Sequence, residues 1–374
     1  MIRPQNILWR LLWPVRVTAT PLYAAGLQLH KGLYAAGIKH AYRPPVPVIC
    51  VGNLSMGGTG KTPLVIAIVK MLQEAGRTVG VLTRGYRRSA KVARAVRARD
   101  SRSPISTHVS PSEIGDEPFL MTEKLPGAHI LVGADRAASA RIAVEEFACD
   151  VLVMDDGFQH WALERDLDVV VLDASQPDSL NHLLPWGNLR EGFGALRRAH
   201  VAVIAKARNQ IRRDRVTALV RAANPSIAVW HVDFQPRELK RLGDGSTVST
   251  ASLSGQPVIL VCGIASPEGF EHTALALGCR IEKRFFYPDH FIYPDLVIRY
   301  LEIQAQKTGA RCLLTTEKDA VKLRGRTRRA APWFAVTIET RWLDPSVDAV
   351  RALLAKVEKR KEERRNEGTD HSPV

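Results

Sequence analysis

Residues 55 to 63 read Ser-Met-Gly-Gly-Thr-Gly-Lys-Thr-Pro, between the apolar run Val46 to Val51 and the helical pattern Leu64 to Glu74. Strand, glycine-rich loop and helix in that order are what a phosphate-cradling P-loop requires, which commits this part of the chain to an α/β fold. Gly57, Gly58 and Gly60 let successive backbone N–H groups turn onto an anion, Lys61 adds a point charge, and the Thr62 hydroxyl can ligate Mg²⁺. The stretch Ser55, Met56, Gly57, Gly58, Thr59, Gly60, Lys61 and Thr62 is therefore the candidate site for a nucleoside triphosphate. The strict pattern has glycine where Ser55 stands, but the three remaining glycines cover the stretch that must come closest to the phosphates. A flexible glycine-rich turn is the alternative reading of the same residues.

From residue 46 onward, short apolar runs alternate with helical patterns. Strands are expected at Val46 to Val51, Thr78 to Thr83, His129 to Val132, Val151 to Met154, Val169 to Leu172 and Val201 to Ala205. Helices are expected at Thr62 to Ala75, near Glu117 to Lys124, and at Arg136 to Phe147. This rhythm predicts a doubly wound, mainly parallel sheet with helices on both faces and a binding crevice at the carboxyl ends of its strands. Beyond Val232 the segment Pro236 to Ser254, with Gly243-Asp-Gly245 as a turn, reads as a hairpin linker. A smaller α/β lobe follows, with strands at 258–262, 281–286, 312–315 and 333–336 and helices at 268–277 and 295–308. The organisation expected is residues 1–42 as N-terminal helices, 43–234 as the P-loop core, 235–340 as the second lobe and 341–374 as a helix end and charged tail.

The first 42 residues have a different character. Ile7, Leu8, Leu11, Leu12 and Val15 follow helical spacing with Trp9 and Trp13, but Arg10 and Arg16 interrupt the run and Pro14 and Pro21 punctuate it. A spanning helix needs about 20 mainly apolar residues, and two arginines argue against one. A signal peptide is not expected either, since its apolar core would carry Arg10 and translocation would strand a nucleotide site outside the cytosol. The pattern predicts an interfacial pair of helices, Pro4 to Val17 and Leu22 to His40, with Trp and Leu in lipid and basic residues at the headgroups. An ordinary amphipathic helix covering the core is the alternative.

Two acidic phrases suit phosphoryl transfer. Val151-Leu-Val-Met-Asp155-Asp156 is a buried strand delivering carboxylates at its tip, the usual partner of a P-loop for holding Mg²⁺. Asp156-Gly157 as a plain turn explains only one of the two acids. Gly115-Asp116-Glu117-Pro118 places paired acids at a helix start; on these residues alone Asp116 reads equally as a cap and as a catalytic carboxylate. Lys and Arg number 53 against 38 Asp and Glu, a net charge of +15, which favours anionic partners. Eight of those cations fall between Arg84 and Arg102. The five cysteines are widely spaced without a Cys-x-x-Cys pair, as expected of reduced, mostly buried thiols.

Taken in order, Asn53-Leu-Ser-Met-Gly-Gly-Thr-Gly-Lys-Thr-Pro63, Thr83-Arg-Gly-Tyr86, Gly115-Asp-Glu-Pro118, Asp155-Asp-Gly-Phe-Gln-His160, Arg165-Asp-Leu-Asp168, Leu184-Pro185 with Leu189-Arg-Glu191, Tyr287-Pro-Asp-His290 and Thr315-Thr-Glu-Lys-Asp-Ala-Val321 resemble the tetraacyldisaccharide 4′-kinases along nearly the whole chain. Ser55 agrees with that family's own version of the loop. The resemblance implies transfer of the ATP γ-phosphoryl group to the 4′-hydroxyl of a tetraacylated disaccharide 1-phosphate, yielding lipid IVA in lipid A biosynthesis. It also implies a peripheral enzyme on the cytoplasmic face of the bacterial inner membrane. It makes Asp116 the catalytic acid and His290 its orienting partner. Lys61 becomes the stabiliser of the transferring group, Thr62, Asp155, Asp156 and Glu191 become candidates for Mg²⁺, and Glu117, Arg84 and Gln159 stand in a second rank. Lys318 is functional on the same basis. The partners expected are an anionic acylated disaccharide and a lipid surface, with no nucleic acid and no obligatory protein partner. The rival reading is a membrane-associated P-loop ATPase or switch acting on a protein.

Overall fold

The structure is a computed structural model, and it describes residues 13–85, 94–97, 110–327, 331–343, 350, 352, 354 and 355. The core strands are β1 (Val48–Asn53), β2 (Val79–Thr83), β3 (Arg94–Arg97), β4 (His129–Val132), β5 (Val151–Asp155), β6 (Leu167–Asp173), β7 (Val201–Ala205) and the long β8 (Ala228–Arg241). Across the sheet they run β8-β7-β6-β1-β5-β2-β4-β3, all parallel except the edge pair β3 and β4. The apolar runs are continuous because these strands are covered on both faces. Ile49 and Val51 of β1 pack on one side with Leu64, Val65 and Ile68 of α2 (Lys61–Glu74). Val48 and Cys50 pack on the other side, in the cluster that includes Ala140 and Ala143 of α5 (Arg136–Glu145) and Val216 and Val220 of α6 (Gln210–Ala223). Each buried Val, Leu or Ile among them contributes about 1.5–3 kcal/mol. The doubly wound sheet is thus present as expected.

The second lobe adds β10 (Pro257–Cys262), β11 (Arg280–Phe286), β12 (Cys312–Thr316) and β13 (Trp333–Trp342), in the order β11-β10-β12-β13. Helix α7 (Pro267–Ala276) covers one face, and α8 (Asp295–Thr308) and α9 (Glu317–Leu323) the other. The two lobes share β8. Its first half pairs in parallel with β7, from Val201↔Ala228 to Ile204↔His231, and its second half pairs antiparallel with β13, from Trp342↔Val232 to Phe334↔Arg241. The hairpin expected at 236–254 exists, since Leu239 faces Val248 of β9 (Thr247–Ser249). Its first arm is nevertheless the end of the strand that makes one 13-stranded sheet, so position 234/235 falls inside β8.

The N-terminal segment differs from expectation. In place of a break between Val17 and Leu22, a single helix α1 runs from Trp13 to Ala35 with Pro21 inside it. An interior proline costs about 3 kcal/mol, and bonds to the loop at 185–190 hold the helix on both sides of it. Arg16 donates to the Pro185 and Trp186 carbonyls at 2.6 and 2.8 Å, and the Tyr23 hydroxyl to the Arg190 carbonyl at 2.8 Å. Residues 4–12, most of the basic stretch 84–102 and the tail from 356 lie outside the described residues. All five cysteines are free and buried.

Candidate functional site

β1 ends at Asn53 and α2 begins at Lys61, so the glycine-rich loop lies at the carboxyl edge of the sheet. Gly57 and Gly60 take φ of 105° and 92°, the left-handed region that favours glycine. At Gly60 space adds a second reason, because a Cβ there would lie 2.2 Å from the Phe234 ring. The loop is also tethered from outside. The Met56 N–H donates to the Asn188 carbonyl at 2.8 Å, Ser55 bridges to Leu189, and the Asn53 amide donates to the Thr59 hydroxyl at 3.2 Å. Lys206 Nζ reaches the Gly58 carbonyl (2.9 Å) and the Asp173 carboxylate (2.5 Å).

A cleft of about 1920 Å³ runs from this loop to the second lobe. Residues 56 to 62, Arg84, Asp116, Glu117, Asp155, Asp156, Gln159, His290 and Lys318 all line it. Ser55 and Glu191 do not. Ser55 is held beneath the loop. Glu191 sits behind the wall, 1% exposed, with Lys31 of α1 at 2.6 Å, Arg198 at 2.5 Å and the Gln159 amide donating at 3.1 Å. Burial pushes its carboxyl up, but Arg198 and Lys31 outweigh that and hold it below the usual range. Here Glu191 ties α1 to the strand-end loops.

The two adjacent aspartates are in opposite electrostatic situations. Asp155 closes β5, in register with Val51 of β1. Its Oδ2 accepts from the Thr83 hydroxyl at 3.4 Å, and its buried Oδ1 has no hydrogen-bond partner among the described residues. Burial, then the negative charges of Glu117 and Asp156, push its pKa up to about 7. Asp156, with φ 52°, meets Lys61 Nζ at 3.4 Å, and Arg190 donates to both its oxygens at 2.9 and 3.0 Å. Burial pushes Asp156 up, but Lys61 and Arg190 prevail and hold it low. A carboxylate already clamped by two cations has less to offer a metal than one that is buried with an idle oxygen.

The far end of the cleft joins the lobes. After the short α3 (Pro111–Ile114), Asp116 opens α4 (Asp116–Lys124), whose N-cap is Gly115 with no side-chain cap bond. The carboxylate faces the second lobe: His290 Nδ1 lies 3.2 Å from Oδ2 and Lys322 Nζ 3.3 Å from the same oxygen. Lys318 Nζ stands 3.3 Å from His290 Nε2, between Glu117 (3.0 Å) and Asp289 (3.1 Å). Burial pushes Asp116 up, yet His290, Lys322 and Lys318 bring it below the usual range. The same balance, with Glu117 and Asp289 outweighing burial, raises Lys318. A nucleotide-cradling loop therefore shares one cleft with a carboxylate backed by an imidazole and held ionised.

The tetraacyldisaccharide-1-P 4′-kinase family model matches residues 8–358. The chain belongs to that family. Among curated members, the tetraacyldisaccharide 4′-kinase of Anaeromyxobacter sp. strain K is 39% identical over 313 residues, covering 83% of this chain and 81% of that one. The Pelobacter propionicus enzyme is 35% identical over 356 residues, 94% of each chain. A crystal structure of LpxK from Aquifex aeolicus in complex with ATP superimposes with a TM-score of 0.71 at 28% identity, over 94% of this chain and 99% of that one.

Several family-site neighbours escape a sequence reading. Lys322 and Arg190 each contact an aspartate from another segment of the chain, and Arg198 and Lys31 converge on Glu191. His160, which by itself reads as a surface residue after a turn, is half-buried on the cleft wall, and its buried Nε2 has no hydrogen-bond partner among the described residues. Burial, followed by the charges of Arg136 and Arg165, lowers its pKa to about 4, so it is a neutral imidazole.

Proposed function

We propose that this member of the 4′-kinase family transfers the γ-phosphoryl group of ATP to the 4′-hydroxyl of a tetraacyldisaccharide 1-phosphate, forming lipid IVA in lipid A biosynthesis. The observation that carries the reading is the convergence of the P-loop and the Asp116–His290 pair in one cleft. The backbone N–H groups of residues 57 to 62 cradle the phosphates, and Lys61 meets the charge that develops on the transferring group. Asp116 takes the proton of the acceptor hydroxyl as its oxygen bonds to phosphorus and the bond from the γ-phosphorus to the bridging oxygen breaks, releasing ADP. His290 orients the Asp116 carboxylate. Lys318, between Glu117 and Asp289, holds the second lobe against α4.

Thr62 at the first turn of α2 and the idle oxygen of Asp155 form a donor set that fits Mg²⁺, with Asp156 beside them. When bound, Mg²⁺ neutralises phosphate charge. Arg84 and Gln159 lie where the cleft can meet the anionic acceptor.

For location we propose peripheral attachment to the cytoplasmic face of the inner membrane. Among the described residues no helix is long and apolar enough to cross a membrane. Helix α1 exposes Leu22 (77%) and Leu29 (68%), seven residues apart on one face. The test presents ATP and acceptor lipid in anionic vesicles: ADP forms only when acceptor is present, and the protein sediments with the vesicles. ADP release independent of acceptor contradicts the kinase reading, and protein left in the supernatant contradicts the attachment.

A further inference from the structure

Two second-lobe groups, His290 Nδ1 and Lys322 Nζ, converge on the same oxygen of Asp116, Oδ2. We infer that Lys322 is a positioning residue for phosphoryl transfer: fixed by Asp319, it pins Asp116 Oδ2 across the lobe interface and leaves Oδ1 to receive the acceptor's hydroxyl proton. The inference rests on Asp116 being the base.

Lysine is normally a flexible surface cation; here its side chain is 9% exposed and lies in ion-pair range of one carboxylate on each lobe. Its ammonium lies 3.0 Å from Asp319 Oδ1 and 5.5 Å from the centre of the Tyr293 ring. Asp319 is itself rigid. It is fully buried, its Oδ2 accepts from the Gly263 N–H (3.0 Å) and the Thr316 hydroxyl (2.7 Å), and its Oδ1 accepts from the Tyr293 hydroxyl (3.1 Å). Its own N–H returns to the Thr316 hydroxyl, fixing the first turn of α9. Three donors already serve Asp319 without the lysine. Lys322, three residues on, instead extends that buried cluster to a carboxylate on the opposite lobe. The other cation nearby cannot substitute, because Lys318 is engaged by Glu117 and Asp289. The groups facing Asp116 are thus His290, Lys322 and Lys318, with Glu117, Asp289 and Asp319 as the nearby acids.

The test compares Lys322→Met, the double variant Asp319→Asn/Lys322→Met and Asp116→Asn. The double variant removes both charges of the buried pair, so it keeps the fold where the single change leaves the Asp319 carboxylate uncompensated. Turnover is expected to fall about 10–100-fold in both lysine variants, the range typical of a supporting partner, while KM for ATP is unchanged. In Lys322→Met, with one cation gone, Asp116 holds its proton to higher pH, so the acid limb of the kcat profile moves upward in pH; in the double variant the loss of the Asp319 charge offsets that shift. Wild-type turnover in the double variant, or a loss in Lys322→Met with the acid limb unmoved, overturns the positioning role. Undiminished turnover in Asp116→Asn overturns the base assignment itself, which separates the two failures.

Discussion

Asparagine in place of Asp116 is expected to lower turnover about 10²–10⁴-fold, the range for loss of a general base, with ATP affinity unchanged. The side chain keeps its size and its place beside His290 and Lys322, but loses the charge proposed to accept the hydroxyl proton. The contacts that hold the P-loop in place come from β1 and the segment 182–191, and none of them involves the Asp116 carboxylate. A stability measurement separates this from a capping role. Gly115, not Asp116, is the N-cap of α4. Wild-type Asp116 is held below the ordinary carboxylate range, so its contribution to stability is present above that range and is lost as pH falls through the folded value. The variant lacks that acid sensitivity. Unfolding of the variant at neutral pH, with no selective loss of turnover, would contradict the assignment.

Asparagine in place of Asp155 carries the second large effect. Its Oδ1 is buried without a partner, and its pKa is raised to about 7 by burial and by the charges of Glu117 and Asp156. A metal ligand must be deprotonated, so the Mg²⁺ concentration for half-maximal turnover in the wild type should rise as pH drops below about 7. In Asp155→Asn that concentration should rise at least 10–100-fold, the cost seen even for outer partners of a metal, and lose its pH dependence. Stability without metal supplies an independent readout. Between about pH 4, the ordinary carboxylate value, and about 7 the folded chain keeps a proton that the unfolded chain has released. Wild-type stability therefore declines as pH rises through that window, and the variant should not share the slope. Unchanged Mg²⁺ dependence in the variant would contradict the metal assignment.

How much of this was legible in the sequence follows from the range of the interactions involved. The P-loop and the tip of β5 are local phrases: strand, turn residues and functional side chain follow one another without interruption, so pattern alone places Lys61, Thr62, Asp155 and Asp156 at one edge. The parallel core was legible because strands buried on both faces leave uninterrupted apolar runs such as Val151 to Met154. The sharing of β8 was not. Gln235, Pro236 and Arg237 interrupt its apolar character, and only pairing with β13, about a hundred residues later, makes the stretch a strand. Helix α9 was hidden for a related reason. Without the resemblance Lys318 reads as surface, whereas Glu317 meets Lys124, Lys318 meets Glu117, and Asp319 accepts from the Tyr293 hydroxyl. Helix α1 passes through Pro21 because its anchors lie on the loop at 185–190, which nothing in the first 42 residues announces. The convergence of Asp116 with His290 was legible only through family resemblance, since 174 residues separate them.

The most direct test of the shared cleft is the position of the transferred phosphate in product made from γ-labelled ATP. One labelled phosphomonoester per acceptor, on the 4′-oxygen, absent when the acceptor lacks that hydroxyl, is the predicted result. Label appearing as inorganic phosphate, on the protein or on another hydroxyl would contradict it.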